Sequence, residues 1–329
     1  MKMKRFSQYI AILLAAVLLT TFSACSDDND SSGKLNNKCI KRTLGPNVVG
    51  NEIYLVYAMA MPYGSGRLES CTVTASIAGA AGTWMEHNSY HTNSSGIDVP
   101  VPVGNPSVTD GATTTVTFKV DTCAATLRYY YVIPEEARGR EVSFTFTAKA
   151  ADGETISHSM GPYKICKQYM KRDITLSKSI CYISIEDMAA YTLAEAQNIP
   201  DKIDLCYLWR NKKSQGVEFG HTFAAPVADK EWLDNLTVPA TMTRNVYMRK
   251  EWGIIDGHLT DEPDYGTYID DLDFETIQLQ GMPNYCINMK EKGGMWIETA
   301  DGKYRAYLYI NSLKSISGGV ISIKRYNMY

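Results

Sequence analysis

The strictest constraint in the sequence is a period of two. Cys71, Val73, Ala75 and Ile77 are apolar, and Thr72, Thr74 and Ser76 between them are polar. The same alternation runs through Val116, Phe118 and Val120 against Thr115, Thr117 and Lys119, and through Val142, Phe144 and Phe146 against Ser143, Thr145 and Thr147. Successive strand side chains point to opposite faces, so each pattern buries one face of a sheet and wets the other. Ile53 to Met59 and Leu127 to Ile133 are further strand candidates. Gly64-Ser65-Gly66, Asp110-Gly111, Ala137-Arg138-Gly139 and Asp152-Gly153 supply turn chemistry between them. Short strands punctuated in this way predict a β-sandwich.

The stretch Tyr131 to Asp152 resembles the later strands of bacterial immunoglobulin-like modules: a Pro134-Glu135-Glu136 turn, then the alternating run from Glu141. The resemblance implies an immunoglobulin-like β-sandwich over residues 38–165. Gly161-Pro162 and the basic residues from Lys164 to Arg172 mark the expected junction. Beyond it the pattern is mixed. Ile174–Leu176, Cys181–Ile185, Ile203–Trp209, His221–Ala225, Met295–Thr299, Tyr304–Ile310 and Val320–Lys324 read as strands. Thr192-Leu193-Ala194-Glu195 matches a capping box and predicts a helix of about two turns, and Lys230–Leu236 predicts another. Asp301-Gly302 reads as a hairpin turn. The expected architecture is mainly β: a sandwich, then a β-rich α+β domain over 170–329.

The first thirty residues carry a different signal. Lys2, Lys4 and Arg5 precede an apolar run from Tyr9 to Leu19. The run has about a dozen residues, short of the roughly 20 that a helix needs to span hydrocarbon. It therefore reads as the apolar region of a signal peptide, residues 1–24. Phe22-Ser23-Ala24-Cys25 is lipobox-like: small residues admit a peptidase, and the Cys25 thiol takes the lipid. Phe22 departs from the leucine usual there. Ser26 to Gly33 is acidic, polar and small, so residues 25–37 read as a flexible tether. The acidic run resembles the export signal of Bacteroidetes surface lipoproteins. The expectation is a lipid anchor at Cys25 in the outer membrane, facing outward.

Composition narrows the partners. Removing the signal peptide leaves 30 basic against 36 acidic residues, a formal charge of about −6. With no basic stripe, nucleic acid is not an expected partner. Besides Cys25, the cysteines are Cys39, Cys71, Cys123, Cys166, Cys181, Cys206 and Cys286, an odd number with no CxxC pair. Buried thiols acting as small hydrophobes outweigh a disulfide framework, although the compartment permits one or two bridges.

Candidate chemistry is sparse. His87 and His91 could chelate a metal on a helix, but Gly82-Thr83 before and Asn93-Ser94-Ser95-Gly96 after them predict a solvated loop. Eight acidic residues fall between Asp256 and Glu275, including Asp261-Glu262, Asp264, Asp270-Asp271 and Asp273. Calcium needs clustered carboxylates, yet Pro263 and Tyr265 occupy positions where EF-hand ligands should fall, so a solvated loop is again expected. Neither a Gly-x-Ser-x-Gly elbow nor a Walker loop occurs. The expectations are therefore no catalytic residues, no metal and no cofactor. Trp209 and Trp296 sit in strand patterns and read as core. Trp84 and Tyr90 in a loop, Trp252 before Gly253, and Tyr130, which must face opposite to Tyr129 and Tyr131, are the candidate ligand-binding rings.

The layout as a whole resembles a family of gut Bacteroidetes surface lipoproteins with an N-terminal Ig-like domain and a C-terminal domain of unknown function. The resemblance rests on Tyr182 to Met188 (YISIEDM), Ile269 to Phe274 (IDDLDF), Asp301 to Ile310, and Val320 to Arg325 (VISIKR). It implies no catalytic residues. It implies a context, an accessory to an outer-membrane transporter complex that takes up glycan. The expected function is non-catalytic glycan binding at the cell surface. A fimbrial or adhesive subunit is the alternative, and a hydrolase or apolar-ligand carrier with a site between the domains is a third.

Overall fold

The computed structural model describes residues 35–214, 216–261, 266–316 and 318–329. Cys25, the signal peptide and most of the tether lie outside them, as do Glu262, Pro263, Asp264 and Tyr265.

The first body contains β1 (Asn36–Lys41), β2 (Glu52–Ala60), β3 (Leu68–Ala75), β4 (Trp84–Met85), β5 (Asn88–Thr92), β6 (Asp98–Pro102), β7 (Val108–Asp110), β8 (Thr113–Thr117), β9 (Ala124–Val132), β10 (Glu141–Ala150) and β11 (Thr155–Lys164). They form two antiparallel sheets, β1-β2-β9-β4 and β11-β10-β3-β8-β7, with β5-β6 as a separate hairpin. The alternation in the sequence becomes the inward faces. Ile53, Leu55, Tyr57, Leu127, Tyr129 and Tyr131 from one sheet meet Cys71, Val73, Val142, Phe144 and Phe146 from the other. Tyr131 and Phe144 pack edge-on at 4.9 Å. β1 begins at Asn36, and Leu35 before it is buried, so the ordered body starts ahead of residue 38.

The second body contains β12 (Tyr169–Leu176), β13 (Ile180–Ser184), β14 (Ala189–Thr192), β15 (Leu205–Ser214), β16 (Val217–Ala224), β17 (Val246–Trp252), β18 (Tyr285–Met289), β19 (Gly293–Thr299), β20 (Tyr304–Leu313) and β21 (Gly319–Asn327). Again two antiparallel sheets pack face to face, β12-β21-β20-β19-β17 on β14-β13-β15-β16-β18. Ile174, Ile297, Leu308 and Ile323 of one meet Ile183, Leu205, Phe223 and Met289 of the other. The chain is thus a mainly β molecule of two sandwich-like bodies, the first as the alternation predicts and the second β-rich as expected. The helices are short: α1 (Leu193–Ala196), α2 (Lys230–Leu233) and α3 (Asp271–Thr276). The Thr192–Glu195 capping box is present in both directions, yet α1 makes a single turn instead of two. α2 stops short of Leu236 because Asp234 turns to a positive φ.

Gly161-Pro162 lies inside β11 rather than between the bodies. The crossing comes at residues 165–168. There the Asp271 carboxylate accepts the backbone N–H groups of Lys167 and Gln168 at 2.8 and 3.1 Å, and the Gln168 side-chain amide donates to Ile269 O at 3.0 Å. Tyr169 lies between the guanidinium groups of Arg138, from the first body, and Arg325, from the second, at 3.6 and 4.4 Å.

The acidic stretch is no solvated loop where it is described. Asp256 and Asp271 are buried, and Asp270 and Asp273 form a capping box on α3. Burial is tolerated because each carboxylate is saturated. Asp256 accepts the N–H groups of His258 and Ile269 at 2.8 Å, and the fully buried Lys324 ammonium at 2.6 Å. Lys324 completes its shell on Ile269 O at 2.8 Å and His258 Nδ1 at 3.1 Å. The described residues of 254–261 and 266–279 that carry these groups pack over the outer face of the β12-β21-β20-β19-β17 sheet, through Leu259, Ile269, Phe274 and Leu279. That cover explains why all seven residues of β19 are buried, beyond what one sandwich face requires.

Candidate functional site

The outward-pointing residues of β2 and β9 are fixed by the register of the pair. Tyr54 lies opposite Tyr130, Val56 opposite Arg128 and Ala58 opposite Thr126. β4 adds Trp84 opposite Tyr130 on the other side. Three rings therefore form one cross-strand row. Tyr54 and Tyr130 stack with centroids 4.9 Å apart, and Trp84 and Tyr130 at 5.2 Å. Tyr130 has both faces covered, so it cannot stack on a ligand. Trp84, 41% exposed, keeps one face open. Trp84 belongs to a strand and not a loop, because β9 needs a partner along this edge.

β5 and β6 rise beside this face. The expected loop around His87 and His91 is therefore this hairpin, with Asn93 to Gly96 as its turn. Four residues of strand span about 13 Å, too far for the two imidazoles to share a metal. Ser89 Oγ accepts the Thr126 N–H at 2.9 Å and ties the hairpin to β9. Arg128 holds it from below. Its guanidinium sits 3.4 Å from the centre of the Tyr90 ring and pairs with Asp98 of β6 at 2.8 Å. Partial burial would lower the Arg128 pKa, but the phenols of Tyr54 and Tyr90 and the Glu86 carboxylate outweigh it and hold it above its ordinary value. The Tyr90 phenol is raised by burial first and then by Glu86. The Tyr130 phenol is pushed up to about 12 for the same two reasons.

Between the hairpin and the near ends of β1, β2 and β9 lies an open groove of about 580 Å³. Ser89, Tyr90 and His91 form one wall, Asn36, Asn37 and Lys38 the other, and Ala58, Ala60, Ala124 and Thr126 line the remainder. Asn37 donates its side-chain N–H to the buried Tyr57 hydroxyl at 2.7 Å, which turns its carboxamide toward the core and leaves its backbone to line the groove. The arrangement offers the Tyr90 ring, the Asn36 amide, the Ser89 and Thr126 hydroxyls and small side chains. Such a set suits a polar ligand with a flat apolar face.

Trp84, Tyr90 and Tyr130 are thus brought together, and Trp252 is not. Trp252 closes β17 in the second body, 49% exposed, with its ring against Gly293 and Lys250 at 5.7 Å. Trp296 is core, but Trp209 is only half-buried and lines a groove of about 380 Å³ with Leu236 and Ile316. Its strand pattern misleads because β13 is paired with β15 only at Leu205 and Cys206, which leaves the strand beyond them less covered. Sequence reasoning missed Tyr54, Arg128, Asn36 and Asn37. The outward positions of Ile53–Met59 and Leu127–Ile133 could have named Tyr54 and Arg128.

The seven described cysteines are free thiols, all but Cys123 buried. Burial pushes Cys39 and Cys286 up to about 12, and Cys166 and Cys181 to about 11, which makes them poor nucleophiles. Among the described residues, no three His, Cys, Asp or Glu side chains are placed to hold a metal ion.

Two family models match adjoining parts of the chain. Residues 32–165 match DUF4466 and residues 166–328 match DUF8576, each described as a domain of unknown function. A DUF4466 family protein from Parabacteroides merdae, solved as a crystal structure, is 46% identical, with a TM-score of 0.84, over 90% of this chain and 99% of that one. BcpA, the major pilin subunit of Bacillus cereus, is 8% identical at a TM-score of 0.29, over 87% of this chain and 66% of that one. MyfA, the major subunit of Myf fimbriae from Yersinia enterocolitica, in complex with galactose, is 12% identical at 0.22, over 40% of this chain and all of that one. At those TM-scores neither carries an argument. No curated protein matches the chain.

Proposed function

The chain belongs to the DUF4466 family, and since that family carries no assigned activity, we propose from geometry that it is a non-catalytic, surface-anchored glycan-binding protein. The single observation that supports this is the groove beneath Tyr90. One face of the ring is occupied by the Arg128 guanidinium, which leaves the other for the flat C–H face of a sugar. Asn36 and Ser89 stand where amide and hydroxyl groups would meet sugar hydroxyls. The open face of Trp84, on the same side of the sheet, provides a second platform for an extended chain. In this reading Cys25 carries the lipid, the acidic tether after it directs the protein to the outer face of the outer membrane, and the bound glycan is handed to a neighbouring outer-membrane transporter.

Calorimetric titration of the full chain against soluble host and dietary glycans tests the site. Tyr90→Ala should weaken binding by on the order of 1 kcal/mol, about fivefold. Trp252→Ala should leave binding unchanged. A wild-type protein that binds none of the glycans removes the reading. Loss in Trp252→Ala with Tyr90→Ala unchanged would move the site to the second body. For the anchor, Cys25→Ala should shift the protein from the membrane to the soluble fraction.

A further inference from the structure

We propose that the groove selects anionic glycans, those carrying uronate carboxylates or sulfate esters; this rests on the glycan-binding reading of the same groove. The reason is the sign of its ionisable groups. Of the residues lining it, only Lys38 and His91 can carry charge at all apart from the Tyr90 phenol, and both are bases. The chain as a whole has more acidic than basic residues, 36 against 33, so an acid-free groove departs from its average surface. Of the acids beside it, Asp98 pairs with Arg128 at 2.8 Å, and Glu86 is engaged by the Tyr90 phenol.

Lys38 and His91 line the groove from separate strands. Lys38 projects from β1, and His91 follows Tyr90 on β5; both are exposed. Among the described residues neither enters an ion pair, so both are available to a ligand. A sugar stacked on Tyr90 would place a ring substituent toward one wall or the other. A carboxylate or sulfate there gains charge-assisted hydrogen bonds from Lys38 that a hydroxymethyl group cannot match. Charge of one sign in a concave site also concentrates ligands of the other sign, an effect that salt screens.

The test sets matched neutral and acidic polysaccharides against the full-length protein: an unsubstituted galactan, a polygalacturonate and a sulfated galactan. The acidic pair should bind about tenfold more tightly at low ionic strength, and the gap should shrink as salt is added. Lys38→Gln should weaken acidic ligands about threefold to fivefold and narrow their advantage over the neutral one by that factor. Lys38→Glu should reverse the preference. Carboxylate and sulfate ligands are compared directly, so the two arms report which anion is favoured. Tyr90-dependent binding that is equal for neutral and acidic chains overturns the charge selection while glycan binding stands. Binding of none of the three overturns both. Lys38 is exposed on an edge strand, so neither substitution threatens the fold.

Discussion

Each body has a sheet that carries aromatic rings on its outward face, and the chain treats the two differently. In the second body, Trp296, Tyr307 and Tyr309 are roofed by Leu259, Ile269, Phe274 and Leu279. Phe274 meets Trp296 edge-on at 5.5 Å and stacks with Tyr326 at 5.8 Å. In the first body, Trp84, Tyr130 and Tyr54 receive only the β5–β6 hairpin, which stands beside them and leaves a groove. An outward aromatic row is therefore not a site by itself. It becomes one where no later stretch of chain claims it. In the second body the claim is enforced by the buried Asp256–Lys324 pair, which fixes the roof to β21.

The contrast can be broken from the roof downward. Asp256→Ala leaves the Lys324 ammonium buried without a counter-ion and should cost about 3–5 kcal/mol, read by urea unfolding. A cost below about 1 kcal/mol would mean that the pair does not hold the roof. Phe274→Ala removes a fully buried ring and should cost about 3 kcal/mol. It should also expose Trp296, seen as a red shift in its fluorescence.

Acidification attacks the same region through His258. Its imidazole is held down at about 4, by burial first and then by the Lys324 ammonium, with Asp256 opposing. Unfolded, it would titrate near its ordinary value of roughly 6.5. Between those values the unfolded chain binds the extra proton, so stability is present above about 6.5 and falls as pH drops toward 4. The loss should be on the order of 3 kcal/mol, and His258→Gln should flatten it. A wild-type stability that does not change over this window would refute the assignment. The smallest effect belongs to the open row. Trp84→Ala should cost about 1 kcal/mol, since one face of the ring already meets water. A loss as large as that of Phe274→Ala would show that the first row is core after all.

The period-two patterns made the inward faces legible. Ile53, Leu127, Phe144 and their neighbours are where the alternation puts them, because burying one strand face is a local demand. The hairpin turns at Asp110-Gly111, Asp152-Gly153 and Asp301-Gly302 were legible for the same reason: backbone conformation there is set by two residues. The short strands were not. β4, β5 and β6 carry no apolar period, since they form by completing the edge of β9 or by pairing with each other.

Sequence likewise named Trp84, Tyr90 and Tyr130 as rings of interest, but it could not say that Tyr130 would be sandwiched, Tyr90 backed by Arg128, and Trp252 left in another body. Nor could it tell the buried Asp256 and Asp271 from solvated acids. Alternation, turns and capping residues act over a few positions and are written in the chain. Which aromatic face is roofed, which carboxylate finds a lysine 68 residues away, and which wall faces a groove depend on distant segments meeting, and only the folded structure decides them.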